Sequence, residues 1–160
     1  MDVQFFDGDA RFKYRCAAVI IENDHILLHK VYDYWTPPGG KISVMENSFE
    51  AVQREIYEES GEEIDVIRHL FTSETFYSRH DFPHHEVAVY YLAGSKALWN
   101  KGKTIIGDEG GRPIEYRWFH INNLPSMDIQ PSFISEYIHR LEEAPAHIIV
   151  DEIKKEVRHD

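Results

Sequence analysis

The segment from residue 39 to residue 61, GGKISVMENSFEAVQREIYEESG, constrains the fold of this chain more than any other. Two glycines open it, and Asn47 then supplies a residue type that caps helix N-termini. Glu50 follows three positions later, as in a capping box. Gly61 is a residue type that ends many helices. The pattern predicts a glycine turn, a short loop and a helix between Asn47 and Gly61.

The predicted helix carries a dense group of carboxylates. Three glutamates at positions i, i+3 and i+4 lie together on one side of the helix: Glu55, Glu58 and Glu59. Like charges at these spacings repel by roughly 0.2–0.5 kcal/mol per pair, and the helix dipole disfavours anions in the last turns. A divalent cation such as Mg²⁺ or Mn²⁺ would remove the repulsion, because both ions favour oxygen ligands. The alternative interpretation is a solvated acidic helix face.

The spacing of these residues matches a known signature. The segment fits G-x5-E-x7-R-E-U-x-E-E-x-G, where U is a bulky aliphatic residue, at positions Gly40, Glu46, Arg54, Glu55, Ile56, Glu58, Glu59 and Gly61. It therefore resembles the Nudix box, the signature of the Nudix hydrolases. Trp35, Pro38 and Gly39 extend the resemblance upstream of the box.

Two departures from the family pattern affect the expected geometry of the loop and none of the predicted metal ligands. Glu62 stands where an aliphatic residue is usual, and Ile64 can take over its packing role. Met45 stands where many members have glycine before the first glutamate. The resemblance covers about residues 14–125. It implies an α/β fold, namely the α/β/α sandwich of the Nudix type, with a mixed sheet and a central catalytic helix.

The resemblance also implies a metal site. Hydrolysis of a diphosphate linkage brings water to phosphorus through a shell of anionic oxygens, and divalent ions neutralise that shell. The family pattern assigns metal binding to the backbone carbonyl of Gly40 and to Glu55, Glu58 and Glu59. We expect Glu55, Arg54 and Glu58 to be the catalytic residues. Arg54 cannot lose its charge and is expected to orient a neighbouring glutamate.

In this family a further acid outside the box often completes the site. We expect Glu109 to be this metal ligand, with Glu115 and Glu86 as alternatives. Glu46 is expected to support the loop rather than bind metal. The general base stays open between Glu55 and an acid from a loop.

Patterns of apolar and polar residues predict the other elements. Strands are expected at residues 14–21, 25–32, 64–77, 86–93, 114–121 and 147–150, and a second helix at 131–143. Residues 80–85 and 95–112 are expected to be loops, the longer one functional. A single Nudix hydrolase domain is predicted over residues 1–160, with the motifs in 14–125 and a C-terminal helix and tail in 126–160.

Composition narrows the classes of partner. The net charge of −11 argues against sequence-independent binding of nucleic acid, which needs a basic surface. A hydrophobic content of 42% indicates a globular chain, and no apolar run is long enough to span a membrane. Cys16 is the single cysteine, which favours the cytoplasm, and its apolar neighbours predict a core residue rather than a nucleophile. The sequence leaves a homodimer open.

Three functions follow from these features. The favoured one is a Mg²⁺-dependent hydrolase, with Mn²⁺ as the alternative ion, that cleaves a small nucleoside diphosphate linked to another group. The first alternative is a nucleotide-binding or regulatory module that keeps the Nudix fold without turnover. The second is an enzyme like the isoprenoid diphosphate isomerases, for which we identify no extra protonating group. The complete acidic set favours the hydrolase.

The substrate is suggested by residues beyond the box. Family members that cleave ADP-ribose tend to carry a proline there, and those that cleave dinucleoside polyphosphates tend to carry a tyrosine. Tyr77 precedes Pro83 in this chain, which favours dinucleoside polyphosphates, although Tyr77 can also be a packing residue. Other candidates are histidines that could bind metal or phosphate and aromatic residues that could stack on a nucleobase: His80, His84, His85, Tyr32, Tyr34 and Trp35.

Overall fold

The computed structural model describes residues 1–143 and 145–153 of the chain. These residues form ten strands: β1 (Gln4–Asp7), β2 (Ala10–Glu22), β3 (His25–Val31), β4 (Tyr34–Thr36), β5 (Gly39–Lys41), β6 (Asp65–Arg79), β7 (Phe82–Gly94), β8 (Thr104–Glu109), β9 (Arg112–His120) and β10 (Ala146–Asp151). The α-helices are α1 (Ser48–Ser60), α2 (Lys96–Asn100) and α3 (Ile134–Tyr137), and 3-10 helices span Ile121–Ser126 and Ile138–Arg140.

The strands form one mixed sheet in the order β10-β6-β7-β2-β3-β9-β8. Two strand pairs are parallel, β2 with β7 and β10 with β6, and the others along this path are antiparallel. Strands β1 and β5 also pair with β2, and β4 pairs with β3. A mixed sheet was predicted, and the order shows that β2 is its central organising strand.

The sheet opens between β2 and β3. These strands are joined by a two-residue turn at Asn23 and Asp24, where φ is 47° and 60°, as two-residue hairpins require. Their register covers only two residue pairs next to that turn. Further along, β2 pairs with β5 and β3 pairs with β4, so the strands separate. The gap between them becomes the cleft described below.

A hydrophobic core lies on each face of the sheet. On one face, Val52 and Ile56 of α1 pack in a cluster with the β9 residues Tyr116 and Trp118. On the other face, Phe71 of β6 packs with residues from the last helical segments, including Ile134, Tyr137 and Ile138. The sheet is therefore covered on both faces, as expected for a sandwich of helices and strands. Cys16 is fully buried in the first core, as predicted.

Helix α1 has the ends that the sequence predicts. The side chain of Asn47 accepts a hydrogen bond of 2.8 Å from the backbone N–H of Glu50. At the other end, Gly61 has a φ of 76°, and its N–H donates to the carbonyl of Tyr57 at 2.9 Å. These caps fix where the helix starts and stops, and thereby the position of its carboxylates.

The structure corrects the expected loop at 95–112. Residues in this range instead form α2 and β8. The Ser95 hydroxyl caps α2 by accepting from the N–H of Leu98 at 3.2 Å, and the Leu98 side chain is buried. Ile105 is buried and Ile106 is exposed, which is the alternation of a strand, and β8 pairs with β9.

Two further predictions of elements were wrong in extent. The helix expected at 131–143 is reduced to α3 and the 3-10 segment after it. Phe133, the residue before α3, forms no side-chain hydrogen bond that would cap the helix. Only His80 and Asp81, with φ of 54° and 65°, form the turn expected at 80–85. Phe82 already begins β7, so His84 and His85 lie on a strand. No helix among the described residues is long and apolar enough to cross a membrane.

The pairing of β5 with β2 yields a stability prediction. A Cβ atom added at Gly39 would lie 2.7 Å from the Cα of Ala17 and would also meet the carbonyl oxygen of Cys16. We expect Gly39→Ala to force these strands apart and cost about 1–3 kcal/mol. Gly61→Ala is the comparison, because it meets no atom within 4 Å and adds only the left-handed backbone penalty of about 1–2 kcal/mol.

Thermal and urea unfolding of both variants test this expectation. Gly39→Ala should lose more stability than Gly61→Ala. Equal or smaller losses at Gly39 would show that β5 moves freely relative to β2.

Candidate active site

A cleft of about 680 Å³ occupies the gap between β2 and β3. Its lining comes from both sides of the gap and from α1. One end carries acidic groups and the other carries basic and aromatic groups. The candidate residues from the sequence are not all at the same end, so each end is described in turn.

Arg54 is the centre of a hydrogen-bonded network at the acidic end. Its Nε and one terminal nitrogen donate to both carboxylate oxygens of Glu46, at 2.6 and 2.9 Å. The terminal nitrogen that donates to Glu46, Nη2, also donates to the backbone carbonyl of Lys41 at 3.3 Å. Arg54, bonded in this way, lowers the pKa of Glu46. Glu46 therefore ties the loop to the helix, which is the supporting position expected for it.

The other terminal nitrogen of Arg54 holds two predicted metal ligands. It lies 3.0 Å from Oε1 of Glu55 and 3.2 Å from Oε2 of Glu58. The Glu55 side chain is 15% exposed and lines the cleft, whereas that of Glu58 is 58% exposed and is not among the lining residues. Burial raises the pKa of Glu55 against the opposing bond from Arg54. Arg54 thus orients neighbouring glutamates, as the sequence suggested.

The backbone at Gly40 comes close to the helix. A Cβ atom at this position would collide with the carboxylate of Glu55, so no larger residue fits without moving that side chain. The Gly40 carbonyl accepts a long contact of 3.6 Å from the Cys16 thiol. Burial raises the pKa of that thiol to about 12, which keeps it neutral. Gly40 therefore places a carbonyl oxygen and Glu55 side by side.

Glu59 is the most buried carboxylate of the group. Tyr116 of β9 donates its hydroxyl proton to Oε2 of Glu59 at 2.7 Å. Burial, together with the charges of Glu109 and Glu55, raises the pKa of Glu59 to about 7 against that hydrogen bond. The sequence analysis missed Tyr116, because its contact with Glu59 spans 57 residues and follows only from the fold.

Among the further acids, Glu109 is one of the residues that line the cleft. It ends β8 and lines the same cleft as Glu55 and Glu59, although on a strand and not in a long loop. Glu115 instead pairs with Arg117 at 2.6 Å and does not line the cleft. Glu86 lines the cleft but belongs to the basic end.

The chemistry of these donors fits a hard divalent cation. The Gly40 carbonyl and the carboxylates of Glu55, Glu59 and Glu109 are oxygen ligands of the kind that Mg²⁺ and Mn²⁺ take. Within the described residues, no three side chains of His, Cys, Asp or Glu are grouped closely enough to hold an ion. Glu55 and Glu58 are held by Arg54 and Glu59 by Tyr116, so these side chains would have to turn towards an ion.

The opposite end of the cleft, here called the basic end, consists of Lys13, Arg15, Arg79, Tyr34 and Tyr77. The Nζ of Lys13 donates to the hydroxyl of Tyr77 at 2.7 Å, and Arg79 donates to that of Tyr34 at 2.8 Å. The second bond crosses the cleft, because these residues lie on β6 and β4. The sequence analysis missed the basic end, although the alternating cations of residues 11–15 in β2 were a visible signal.

The histidine and aromatic residues that the sequence suggested as candidates lie in different surroundings. The ring of His84 is buried and stacks on Tyr77 with centroids 4.8 Å apart. Tyr32 is 78% exposed, and Trp35 packs edge-on against Phe119 at 4.8 Å, so neither lines the cleft. His80 lies in the turn after β6.

His29 of β3 is a lining residue that the sequence analysis did not identify. Its ring is stacked near Tyr116 with centroids 5.8 Å apart. Burial lowers its pKa to about 4, with a smaller contribution from the charge of Arg15. His29 is therefore neutral near pH 7.

A second, smaller cavity of about 440 Å³ lies away from these carboxylates. It is lined mainly by aromatic residues around Trp99 and Trp118 and by His25 and His120. No carboxylate is among its lining residues in the part of the chain that the structure describes. Only the larger cleft therefore combines the acidic helix with a basic surface.

Comparisons with known proteins bear on the family and on the fold. The family model of the NUDIX domain matches residues 13–141. None of the curated proteins matches the chain. Among solved structures, a mutator MutT protein from Bacillus halodurans is similar, with 16% identity and a TM-score of 0.60 over 84% of this chain and 86% of that one.

Two further solved structures are similar over most of their length. A MutT NUDIX hydrolase from Burkholderia pseudomallei has 28% identity and a TM-score of 0.55, over 78% of this chain and 95% of that one. An ADP-ribose pyrophosphatase from Streptococcus suis has 16% identity and a TM-score of 0.58, over 85% of this chain and 98% of that one.

The raised pKa of Glu59 predicts a pH dependence of stability. The native state holds this proton more tightly than the unfolded state, whose glutamate has a pKa near 4.5. Metal-free protein should therefore lose stability as the pH rises from 4.5 to about 7, by up to about 3 kcal/mol from this group. Glu59→Gln removes this cost, so its advantage over the parent should grow across that window.

Urea unfolding at several pH values with a chelator present measures the difference. Glu58→Gln is the matched control, because Glu58 is largely exposed and should not reproduce the trend. A constant difference between Glu59→Gln and the parent from pH 4.5 to 8 would contradict the raised pKa of Glu59.

Proposed function

The chain belongs to the Nudix family of pyrophosphohydrolases, and from this premise we propose that it is a metal-dependent hydrolase of nucleotide-type substrates. The bond cleaved is a diphosphate linkage between a nucleoside phosphate and another group. The observation that supports this most is the convergence of Glu55, Glu59, Glu109 and the Gly40 carbonyl on one cleft. Anionic groups that line one cleft beside a basic surface suit a site where a cation and phosphates meet.

In the proposed site, Gly40, Glu55, Glu58, Glu59 and Glu109 would hold Mg²⁺, with Mn²⁺ as the alternative. The bound ion would neutralise phosphate oxygens and lower the pKa of a bound water. Four of these residues line the cleft. Glu58 lies at its rim beside Arg54 and would join them by a rotation of its side chain.

The chain's own residues orient these groups. Arg54 fixes Glu55 through one bond while two bonds to Glu46 keep the guanidinium in place. Tyr116 fixes one oxygen of Glu59. Glu55 is a candidate general base because burial raises its pKa towards the working range of such a base. Glu109 is the second candidate, since it ends a strand beside the same carboxylates.

For the substrate, we propose a dinucleoside polyphosphate rather than ADP-ribose. Tyr77, the residue that suggested this class, lines the cleft and accepts a hydrogen bond from Lys13. Although one similar solved structure is an ADP-ribose pyrophosphatase, its 16% identity supports the fold alone. We further propose a single domain over residues 1–160. The cytoplasmic location and a homodimer stay predictions.

A panel of nucleotides tests the proposed activity. We expect phosphate-containing products from a dinucleoside polyphosphate with Mg²⁺ and none with a chelator, because the buried carboxylates need an ion before they can face phosphates. Mass spectrometry of the products identifies the cleaved bond. ADP-ribose, nucleoside triphosphates and an isoprenoid diphosphate complete the panel.

Each outcome of the panel discriminates among the three functions. Tight nucleotide binding without product from any substrate would indicate the non-catalytic module. Conversion of the isoprenoid diphosphate to its isomer would indicate the isomerase. ADP-ribose as the best substrate would overturn the preference drawn from Tyr77.

Substitution of single acids should give graded effects on turnover. We expect Glu59→Gln and Glu58→Gln each to lower kcat by about a hundredfold or more, since several kcal/mol of charge stabilisation depend on the ion. Glu109→Gln should have a comparable effect because Glu109 lines the cleft. Glu63→Gln is the matched control and should change kcat little, as it lies beyond Gly61 at the helix end.

Steady-state kinetics at saturating Mg²⁺ measure these effects, with circular dichroism to confirm that each variant is folded. Similar losses for Glu59→Gln and Glu63→Gln would mean that overall acidity matters rather than a defined metal site. Full activity of Glu109→Gln would remove that residue from the ligand set.

A further inference from the structure

The basic end of the cleft holds more positive charge than its own acids balance. The cleft lining here includes four cations and two acids: Arg11, Lys13, Arg15, Arg79, Glu86 and Glu152. Glu86 alone lies near two of the cations, 3.4 Å from Lys13 and 3.7 Å from Arg15. Arg79 donates to a neutral phenol, that of Tyr34. Since the whole chain has a net charge of −11, this concentration of cations is not a result of composition.

The cations are held close together although they repel one another. Lys13 is only 9% exposed. Burial lowers its pKa, and the charges of Arg15 and Arg11 act in the same direction while Glu86 opposes them. Burying like charges side by side is unfavourable unless a counter-charge is present. An anionic ligand would supply that counter-charge.

The two tyrosines of the basic end contact the cations and a histidine ring. One face of the Tyr77 ring carries the parallel ring of His84, at 4.8 Å and an angle of 2°. The Nζ of Lys13 lies 5.4 Å from the centre of the same ring. The guanidinium of Arg79 lies 5.0 Å from the centre of the Tyr34 ring. These aromatic groups therefore hold the cations in place.

Arg15 connects the two ends of the cleft. It pairs with Glu86 at the basic end, and its charge also acts on Glu59 at the acidic end. A chain of phosphates that starts at the carboxylates would pass Arg15 before it reaches Lys13 and Arg79. A neutral sugar at the same place would add nothing to the single counter-charge that Glu86 supplies to Lys13 and Arg15.

We propose that Lys13, Arg15 and Arg79 bind a phosphate group of the substrate that lies beyond the cleaved diphosphate linkage. The preferred substrate then carries three or more phosphates in a chain. Guanidinium groups suit this task, because they donate two parallel hydrogen bonds to phosphate oxygens. This assignment rests on the proposed function for its catalytic consequence, but the binding of the anion can be tested without turnover.

Two substrates that differ only in phosphate number test the catalytic consequence. Diadenosine tetraphosphate and diadenosine diphosphate have the same two nucleosides. The parent should have a KM at least about tenfold lower for the tetraphosphate, because charge-assisted hydrogen bonds to the additional phosphates contribute only there. Equal KM values, or a lower KM for the diphosphate, would overturn the assignment.

Substitution of the cations should remove this preference. Arg79→Gln and Lys13→Gln should each raise the KM for the tetraphosphate about tenfold more than the KM for the diphosphate. Arg140→Gln is the matched control, since Arg140 is an exposed arginine in an ion pair with Glu143 outside the cleft. Identical effects of Arg79→Gln on both substrates, or the same effect from Arg140→Gln, would contradict the proposal.

Binding of inorganic tripolyphosphate to metal-free protein separates this proposal from the proposed activity. Isothermal titration calorimetry with a chelator present should show one bound anion, with Kd raised about tenfold in Arg79→Gln and Lys13→Gln and unchanged in Arg140→Gln. Such binding with no hydrolysis of any substrate would overturn the activity and keep the phosphate site. Hydrolysis of a substrate without tripolyphosphate binding would overturn the phosphate site and keep the proposed activity.

Discussion

The bond between Arg54 and Glu46 is the interaction on which the arrangement of the candidate site depends. It joins the loop before α1 to the middle of that helix with two hydrogen bonds of 2.6 and 2.9 Å. Arg54 also donates to Glu55 and to the carbonyl of Lys41, which is next to Gly40. One guanidinium thus sets the relative position of a backbone carbonyl and a carboxylate. Because each donor is already committed, the loop and the helix cannot move independently.

The cleft also separates charge over a short distance. Carboxylates gather where α1 and β8 meet, and cations gather on β2 and β6. Charges of the same sign repel one another within each group, and three of them are also held by tyrosines: Tyr116 for Glu59, and Tyr34 and Tyr77 for Arg79 and Lys13. Tyrosine suits this position because its hydroxyl can donate to an acid or accept from a cation without adding charge. A ligand of phosphates and divalent ions has the complementary distribution.

Local sequence signals were sufficient for the family and for the general fold. The box predicted the Nudix family, which the match over residues 13–141 confirms, and the α/β fold is confirmed by similar solved structures. Asn47 and Gly61 marked the helix ends because caps act within a few residues. By contrast, β8 was missed because the polar, glycine-containing residues around it resemble a loop, although it forms a local hairpin with β9. The contact between Tyr116 and Glu59 was missed because it is non-local and depends on how α1 packs on the sheet. Lys13 and Tyr77 meet only because β2 and β6 both border β7.

The side chains of the central strand β2 have different surroundings on its two sides. Cys16, Ala18 and Ile20 face the core beneath α1, whereas Ala17 and Val19 face the other core, on the side of Lys13 and Arg15. Since side chains alternate along a strand, a one-residue insertion would exchange these sides and bury the cations under the catalytic helix. Ligand preference in this lineage can therefore drift through replacement of residues at positions 11, 13 and 15. It cannot drift through a change in the length of β2, so this strand should keep its length while the residues at positions 11, 13 and 15 diverge.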